Sequence, residues 1–144
     1  MSIKVALAGA GAFGIKHLDG IRLIDGVEVV SLVGRERDKT QAVADQYGIG
    51  HVATDLSESL ALKEVDAVIL CTPTQMHASQ AMACLRAGKH VQVEIPLADS
   101  LRDAYAVAGK IARVMLDGAP RALTDGATHF HTRNVRPRWS HRMP

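Results

Sequence analysis

Aromatic residues are scarce in this chain, and long hydrophobic runs are missing from it. One tryptophan, two tyrosines and two phenylalanines make up 3% of the 144 residues. The hydrophobic fraction of 47% must therefore be aliphatic, which suits a parallel sheet covered by helices. No stretch approaches the ~18 apolar residues of a membrane span, and the start shows no secretory leader. We therefore expect a cytoplasmic protein without a membrane partner.

Cysteine and net charge are limited as well. Cys71 and Cys84 are the only two cysteines, and we expect both to be free thiols in a reducing compartment. The formal net charge of +2 is too small to indicate a nucleic-acid partner. The expected partner is a small-molecule substrate, and a homodimer is left open.

Short β-branched segments alternate with segments of helical spacing. Strands are predicted at Ile3–Ala8, Val27–Val33, Ala67–Cys71 and His90–Glu94. Helices are predicted at Arg37–Tyr47, from Asp55, and at Leu101–Leu116, with a short strand before the second of these. This order predicts a doubly wound α/β (Rossmann) fold with parallel strands and right-handed crossovers.

Helical spacing predicts two further helices, around residues 13–21 and around residues 81–85, and apolar stripes lie on the first of these and on Leu101–Leu116. The helix around residues 81–85 carries a similar stripe. The first stripe consists of Phe13, His17, Leu18 and Ile21. The second consists of Tyr105, Ala108, Ala112 and Met115.

The sequence changes character after the last predicted helix. Residues 1–117 are expected to form the Rossmann domain, and residues 118–144 an irregular tail rich in histidine and arginine. One hypothesis places Ala127–Thr132 as a sixth strand beside His90–Glu94, because apolar and threonine residues alternate there with histidines. His129 and His131 have no third ligand at zinc spacing, so no metal is expected.

The first predicted strand runs directly into a G-x-G-x-x-G sequence that opens a helix. Gly9 allows a tight turn, Gly11 lets backbone amides approach a pyrophosphate, and Gly14 lets the helix pack on the strand. Ala12 and Phe13 supply further amides at the positive end of the helix dipole. The alternative is a glycine turn without a ligand. The context between strand and helix favours a dinucleotide.

The end of the second predicted strand indicates which dinucleotide is bound. NAD enzymes place an acid there for the ribose 2′-hydroxyl, whereas this chain has Gly34 and Arg35. A small residue followed by arginine leaves room for a 2′-phosphate and can pair with it. The sequence therefore predicts NADP, with NAD as the second choice. The alternative is that Arg35 belongs to a solvated start of a helix.

Two further loops follow predicted strands, where doubly wound sheets bind ligands. One contains Thr72, Pro73, Thr74 and His77, and the other begins at Glu94. A helix cap for the histidine and a solvated strand end for the glutamate are the alternatives. His77 and Glu94 are the only catalytic candidates that the sequence offers, and the catalytic residues stay unknown.

These motifs resemble the Gfo/Idh/MocA oxidoreductases over residues 1 to about 100. The resemblance rests on the glycine loop, on Thr72-Pro73-Thr74-x-x-His77, and on Ala87–Val91 leading to Glu94-x-Pro96. It implies hydride transfer between a hydroxyl or hemiacetal carbon and a nicotinamide cofactor. It also implies that Thr72, Pro73 and His77 line the nicotinamide side, and that Glu94 approaches the nicotinamide ribose.

Two departures from the family are visible. Most members have lysine where this chain has Ile95, which agrees instead with members that oxidise a cyclic hemiacetal. From about Ala104 to Met143 the chain resembles SleB-type cell-wall hydrolases, on Thr124–His131 and Val135–Ser140. We therefore expect a join near Leu101–Tyr105 and a domain without its substrate half. The alternative functions are a non-catalytic cofactor-binding fusion remnant and, third, a peptidoglycan hydrolase fragment.

Overall fold

Five strands and five helices alternate in the part of the chain that the structure describes. The computed structural model describes residues 2–116, with side chains for residues 2–113. The strands are β1 (Ile3–Ala8), β2 (Val27–Val33), β3 (His51–Ala53), β4 (Ala67–Leu70) and β5 (His90–Val93). The helices are α1 (Ala12–Ile21), α2 (Arg37–Tyr47), α3 (Leu56–Leu60), α4 (Thr74–Arg86) and α5 (Leu101–Leu116). The predicted order is confirmed, with β4 and β5 each ending one residue earlier than predicted.

All five strands are parallel and lie in the order β3-β2-β1-β4-β5. From β1 the chain moves outward through β2 to β3, and then crosses back to place β4 and β5 on the other side. This is the doubly wound α/β fold that the sequence predicts. In such sheets the crevice for a ligand opens at the carboxyl ends of the strands, where the order reverses between β1 and β4.

Alternation along β1 divides the core into two layers. Val5 and Leu7 point to one face, where they pack in the layer that contains Leu18 of α1. Ala6 and Ala8 point to the other face. That second layer is completed by buried side chains of α3, α4 and α5, which are Leu56, Ala81, Cys84 and Val107. No aromatic side chain is buried among residues 2–113, so the core that the structure describes is aliphatic.

Local signals set the ends of several helices. Gly48 ends α2 in the left-handed conformation, with a φ of 70°, and Gly88 has the same φ just after α4. At the start of α3 the carboxylate of Asp55 accepts from the backbone N–H of Ser57, and Glu58 bonds back to the N–H of Asp55. Gly48 and Gly88 thus return the chain from a helix to the start of the next strand, and the Asp55–Glu58 cap starts the helix that follows β3.

Two sequence-based helix faces differ from the structure. In α1, Leu18 and Ile21 are buried, but Phe13 in the first turn is 63% exposed. In α5 the apolar stripe is not the buried face, since Tyr105 is 70% exposed. Val107 is buried instead and Ile111 packs beside it, because these two positions face the core layer that α4 shares.

Within residues 2–116, β5 pairs only with β4. The predicted sixth strand at Ala127–Thr132 and the predicted tail at 118–144 lie outside the described residues, so both stay predictions. None of the helices within residues 2–116 combines the length and hydrophobicity needed to cross a lipid bilayer.

Candidate functional site

A cleft of about 780 Å³ runs along the carboxyl ends of β1, β2 and β4. Six residues that the sequence predicts as cofactor-binding line it: Gly9, Gly11, Gly34, Arg35, Thr72 and Pro73. Six others do not line it: Ala12, Phe13, Gly14, Thr74, His77 and Glu94. The cleft therefore unites the glycine loop with the loops that follow β2 and β4, and leaves the β5 loop beside it.

Packing alone requires two of the three glycines in the β1–α1 turn. Gly9 has a φ of 110°, and a Cβ added to it would stand 2.5 Å from the carbonyl oxygen of Cys71. A Cβ added to Gly14 would stand 1.8 Å from the carbonyl oxygen of Gly9. Neither position accepts a side chain, whether or not a ligand binds in the cleft.

Gly11 has no such internal reason to be glycine. Nothing lies within 4 Å of a Cβ built on it, and its φ of −85° suits any residue. It is the N-cap of α1, which has no side-chain cap and no acid in its first turn. The first amides and the positive end of the helix dipole are therefore uncompensated by side chains. A bare backbone beside such amides fits a pyrophosphate.

At the end of β2 the structure leaves no room for an acid at position 34. A Cβ on Gly34 would stand 2.1 Å from Oγ1 of Thr40, a hydroxyl that donates to the carbonyl oxygen of Glu36 at 2.7 Å. Arg35 is exposed and lines the cleft, as does Lys39. The Lys39 ammonium pairs with the Glu36 carboxylate at 2.8 Å. Arg35, Lys39 and Glu36 thus border this end of the cleft, and Asp55 in the neighbouring loop after β3 adds a second acid to the lining.

The loop after β4 forms the opposite wall. Cys71, Thr72 and Pro73 line it, and the Thr72 hydroxyl donates to the side-chain oxygen of Gln80 in α4. Burial, and then the neighbouring Glu94 carboxylate, raise the pKa of the Cys71 thiol to about 11. The thiol is therefore protonated at neutral pH and is a poor nucleophile.

His77 is buried below this wall, with 2% of its surface exposed. Its Nδ1 lies 2.8 Å from the carbonyl oxygen of Pro96, and its Nε2 lies 2.7 Å from that of Thr72. Both ring nitrogens are thus occupied by the main chain. This placement gives the ring a structural bridge between two loops, and no open face for proton exchange with a substrate.

Glu94 sits at the end of β5 and faces α1. Its Oε1 lies 2.7 Å from Nε2 of His17, and both side chains are partly buried. The next residue, Ile95, occupies the position of the lysine that the resemblance leads one to expect, and it is 89% exposed. The β5 loop therefore presents a carboxylate held by a histidine, followed by an apolar side chain.

Further residues join the cleft that the sequence analysis did not assign to a site. Among them are Ala10, Lys39, Thr54, Asp55, Ser57, Met76 and Gln80. Thr54, Asp55 and Ser57 follow β3, so the rule that ligands bind beyond the carboxyl ends of strands could have found them. Within residues 2–116 no three His, Cys, Asp or Glu side chains come together as a metal site; His129 and His131 lie outside this range.

The family profile that matches this chain has the description "Oxidoreductase family, NAD-binding Rossmann fold" (GFO_IDH_MocA), and it covers residues 3–114. The chain belongs to the Gfo/Idh/MocA family. Glycine loop, sheet order and cleft are thus those of a NAD-binding oxidoreductase domain.

Two curated relatives show how far the similarity extends. The 4-carboxy-2-hydroxymuconate-6-semialdehyde dehydrogenase of Sphingobium sp. (strain NBRC 103272 / SYK-6) is 56% identical over 136 residues, which is 92% of this chain and 43% of that protein. The 1,5-anhydro-D-fructose reductase of Ensifer adhaerens is 37% identical over 131 residues, which is 90% of this chain and 39% of that protein. The chain thus spans less than half the length of either relative.

Solved structures agree on the fold and include both cofactors. GenD2 from gentamicin A biosynthesis, in complex with NAD, has a TM-score of 0.74 and 29% identity, covering 78% of this chain and 32% of its own. The 3-ketoreductase KijD10 from Actinomadura kijaniata, in complex with TDP-benzene and NADP, has a TM-score of 0.73 and 25% identity. The match covers 78% of this chain and 36% of the KijD10 chain. The family therefore accommodates either dinucleotide on this fold.

The expectation of a cell-wall hydrolase fragment from about Ala104 finds no support. The family match continues to residue 114, and an alignment over 92% of the chain necessarily extends well beyond residue 104. Val107 of α5 is buried in the same core layer as Ala81 and Cys84 of α4. Helix α5 therefore belongs to the dehydrogenase domain, and the expected join at Leu101–Tyr105 is wrong.

Proposed function

We propose that this chain is the NADP(H)-binding domain of a dehydrogenase that acts on a hydroxyl or cyclic hemiacetal. The observation that carries the choice of NADP is the end of β2. There, Thr40 leaves no space for an acidic side chain at Gly34, and Arg35 lines the cleft. An acid would repel a 2′-phosphate, whereas a guanidinium pairs with one through two parallel hydrogen bonds.

The residues of the cleft divide the work of binding. The bare backbone at Gly11 and the first amides of α1 receive the pyrophosphate. Arg35 receives the 2′-phosphate. The Thr72–Pro73 wall and the carboxylate of Glu94 lie on the other side of β1, where the nicotinamide half extends. When bound, the nicotinamide accepts a hydride from the substrate carbon; the protein orients the two and excludes water.

The substrate class is inferred from the relative at 56% identity, whose name specifies a semialdehyde. A cyclic hemiacetal has a C–H and an O–H on adjoining atoms. Its oxidation to a lactone removes the hydrogen of the C–H bond as hydride and releases the hydroxyl proton. The exposed Ile95 adds an apolar surface and no amine to the place where such a ring would approach.

The cofactor choice is tested with two arginines that stand two residues apart. Arg35 lines the cleft, whereas Arg37 is exposed outside its lining. We expect Arg35→Asp to lower the ratio of NADPH to NADH affinity by about tenfold or more, because a charge-assisted pair becomes a repulsion. Arg37→Asp should change the ratio less than about threefold, since the charge is screened by solvent. Fluorescence titration with NADPH and with NADH measures the two affinities and so gives the ratio.

An unchanged ratio in Arg35→Asp would refute the preference for NADP. Wild-type protein that binds neither cofactor at millimolar concentration would refute the cofactor site itself.

A second candidate is a cofactor-binding module without turnover of its own. It is favoured by the placement of His77, whose two ring nitrogens both face main-chain carbonyl oxygens. Binding of NADPH by the 144-residue chain without reduction of NADP by any hemiacetal or sugar alcohol would support the module. Turnover by this chain would support the dehydrogenase.

A further inference from the structure

Two histidines from different helices hold the loop that follows β5. From α1, Nε2 of His17 lies 2.7 Å from the Glu94 carboxylate, at the start of this loop. From α4, Nδ1 of His77 lies 2.8 Å from the carbonyl oxygen of Pro96, two residues further along the loop. The loop is therefore attached on one side to the helix that begins at the glycine turn, and on the other to the helix that begins at the cleft wall.

In each of these hydrogen bonds the loop oxygen is the acceptor, so the histidine has to be the donor. The carbonyl oxygens of Pro96 and Thr72 can only accept, so a ring nitrogen of His77 bonds to its carbonyl oxygen only when it carries a proton, and a neutral ring donates to one of the two. The ring is 2% exposed, so water does not replace a lost donor. The Glu94 carboxylate likewise accepts from His17. Between the two ties, Ile95 is 89% exposed and contributes little packing.

The two halves of a dinucleotide depend differently on this loop. The loops after β2 and β3 contribute residues 34–36 and 54–57 to the cleft, whereas residues 94–96 do not line it. A dinucleotide bound across the switch point places its adenosine half on the β2 side and its other half on the β4–β5 side. The histidine ties therefore belong to the nicotinamide half.

We propose that His17 and His77 are positioning residues that fix the Glu94–Pro96 loop for the nicotinamide half of the cofactor, while the adenosine half binds without them. The proposal rests on the proposed function for the identity of the ligand. The ties themselves are a property of the cofactor-free fold, so they can be measured separately.

Replacing each histidine by asparagine and by glutamine separates the loss of one hydrogen bond from general destabilisation of the fold. The amide nitrogen of asparagine lies near the position of a histidine Nδ1, and that of glutamine near the position of Nε2. His17→Gln therefore keeps the donor to Glu94, and His17→Asn removes it. At position 77 the choice reverses, because His77→Asn places a donor toward Pro96, whereas His77→Gln places one toward Thr72.

The first measurement compares NADPH with adenosine 2′,5′-bisphosphate, a probe of the adenosine half. We expect His17→Asn and His77→Gln to weaken NADPH binding about threefold to tenfold, the worth of one hydrogen bond, and to leave the bisphosphate unchanged. His17→Gln and His77→Asn should stay within about twofold of wild type for both ligands. Equal effects of the two amides at each position, or parallel loss of both ligands, would overturn the proposal.

The second measurement needs no cofactor. Hydrogen–deuterium exchange of residues 94–100 should accelerate in His17→Asn and His77→Gln, and stay near wild type in the other two variants. If this pattern is seen but the wild type does not bind NADPH, the proposed function and the positioning of the nicotinamide half are overturned. The hydrogen bonds of His17 and His77 to the loop would then still be established. Uniform exchange in all four variants would overturn the ties. If neither amide folds at position 77, the His17 pair decides the outcome.

Discussion

At the scale of single residues, the glycines of the β1–α1 turn separate packing from ligand binding. Gly14 is required because a Cβ would stand 1.8 Å from a backbone oxygen, whereas Gly11 borders open space. The fold makes no demand on Gly11, so the approach of a ligand to the backbone is the reason we propose for a glycine there.

A set of three alanine substitutions in and before α1 tests this separation. Gly14→Ala should destabilise the fold by about 4 kcal/mol or more, because the clash is with backbone atoms. Gly11→Ala should change stability by less than about 0.5 kcal/mol and weaken NADPH binding about tenfold or more, because a methyl group covers the pyrophosphate surface. Gly20→Ala is the control, since nothing lies within 4 Å of its Cβ, and it should stabilise by about 0.4–1 kcal/mol.

Urea unfolding and fluorescence titration measure both quantities on the same samples. Loss of stability in Gly11→Ala equal to that in Gly14→Ala would show that position 11 is a packing residue.

The residue scale also shows where sequence reasoning ends. Spacing and context were sufficient to predict that Gly9, Gly11 and Arg35 line one cleft. They could not show that His77 is buried with both nitrogens on carbonyl oxygens, because Pro96 is distant in sequence and its approach is set by the pairing of β4 with β5. The His17–Glu94 pair was missed for the same reason.

At the scale of elements, α3 shows how a short helix is fixed beside the cleft. It has five residues, too few to be stable alone, and its start is closed by the reciprocal hydrogen bonds of Asp55 and Glu58. Hydrogen bonds from Ser57, first its side chain and then its backbone, lower the pKa of Asp55 below 3.8. Ionisation of the Asp55 carboxylate is therefore more favourable in the folded state than in the unfolded state, and it stabilises the fold.

This linkage predicts a pH-dependent contribution to stability. Because the pKa is lower in the folded state, the contribution is present above 3.8 and is lost as pH falls through the folded value. Asp55→Asn keeps a cap acceptor but does not titrate, so wild type should exceed it in urea midpoint at pH 7. The difference should shrink as pH falls below 3.8. A difference that is constant with pH would contradict this role of the carboxylate.

Elements were the most predictable part of the chain. The strand and helix bounds that the sequence predicts agree with the structure to within a residue, because β-branched runs, Gly48 and the Asp55–Glu58 cap are local signals. The exposed side of α5 was less predictable. Tyr105 and the alanines form an apolar stripe, yet Val107 and Ile111 pack on the core, which only the position of the neighbouring α4 determines.

At the scale of the whole molecule, a bound cofactor should raise the thermal stability of the described domain. NADPH at 100 times its dissociation constant contributes about 2.7 kcal/mol. For a chain of 144 residues this corresponds to a rise in Tm of about 5–10 °C. Differential scanning fluorimetry measures it, with Gly11→Ala as the control that should show a much smaller rise at the same concentration. No rise in wild type would contradict the proposed site.

The position of Gly9 against the end of β4 has a consequence for local opening of the folded domain. The turn is hydrogen-bonded on both sides: the N–H of Gly9 donates to Val33 at 2.8 Å, and the N–H of Cys71 donates to Ala8 at 2.7 Å. The turn thus takes its final shape only when β2 and β4, which are distant from each other in sequence, have both docked beside β1. Separation of β4 from β1 would release a bound nucleotide. A bound nucleotide should therefore slow hydrogen exchange along the whole length of these two strands.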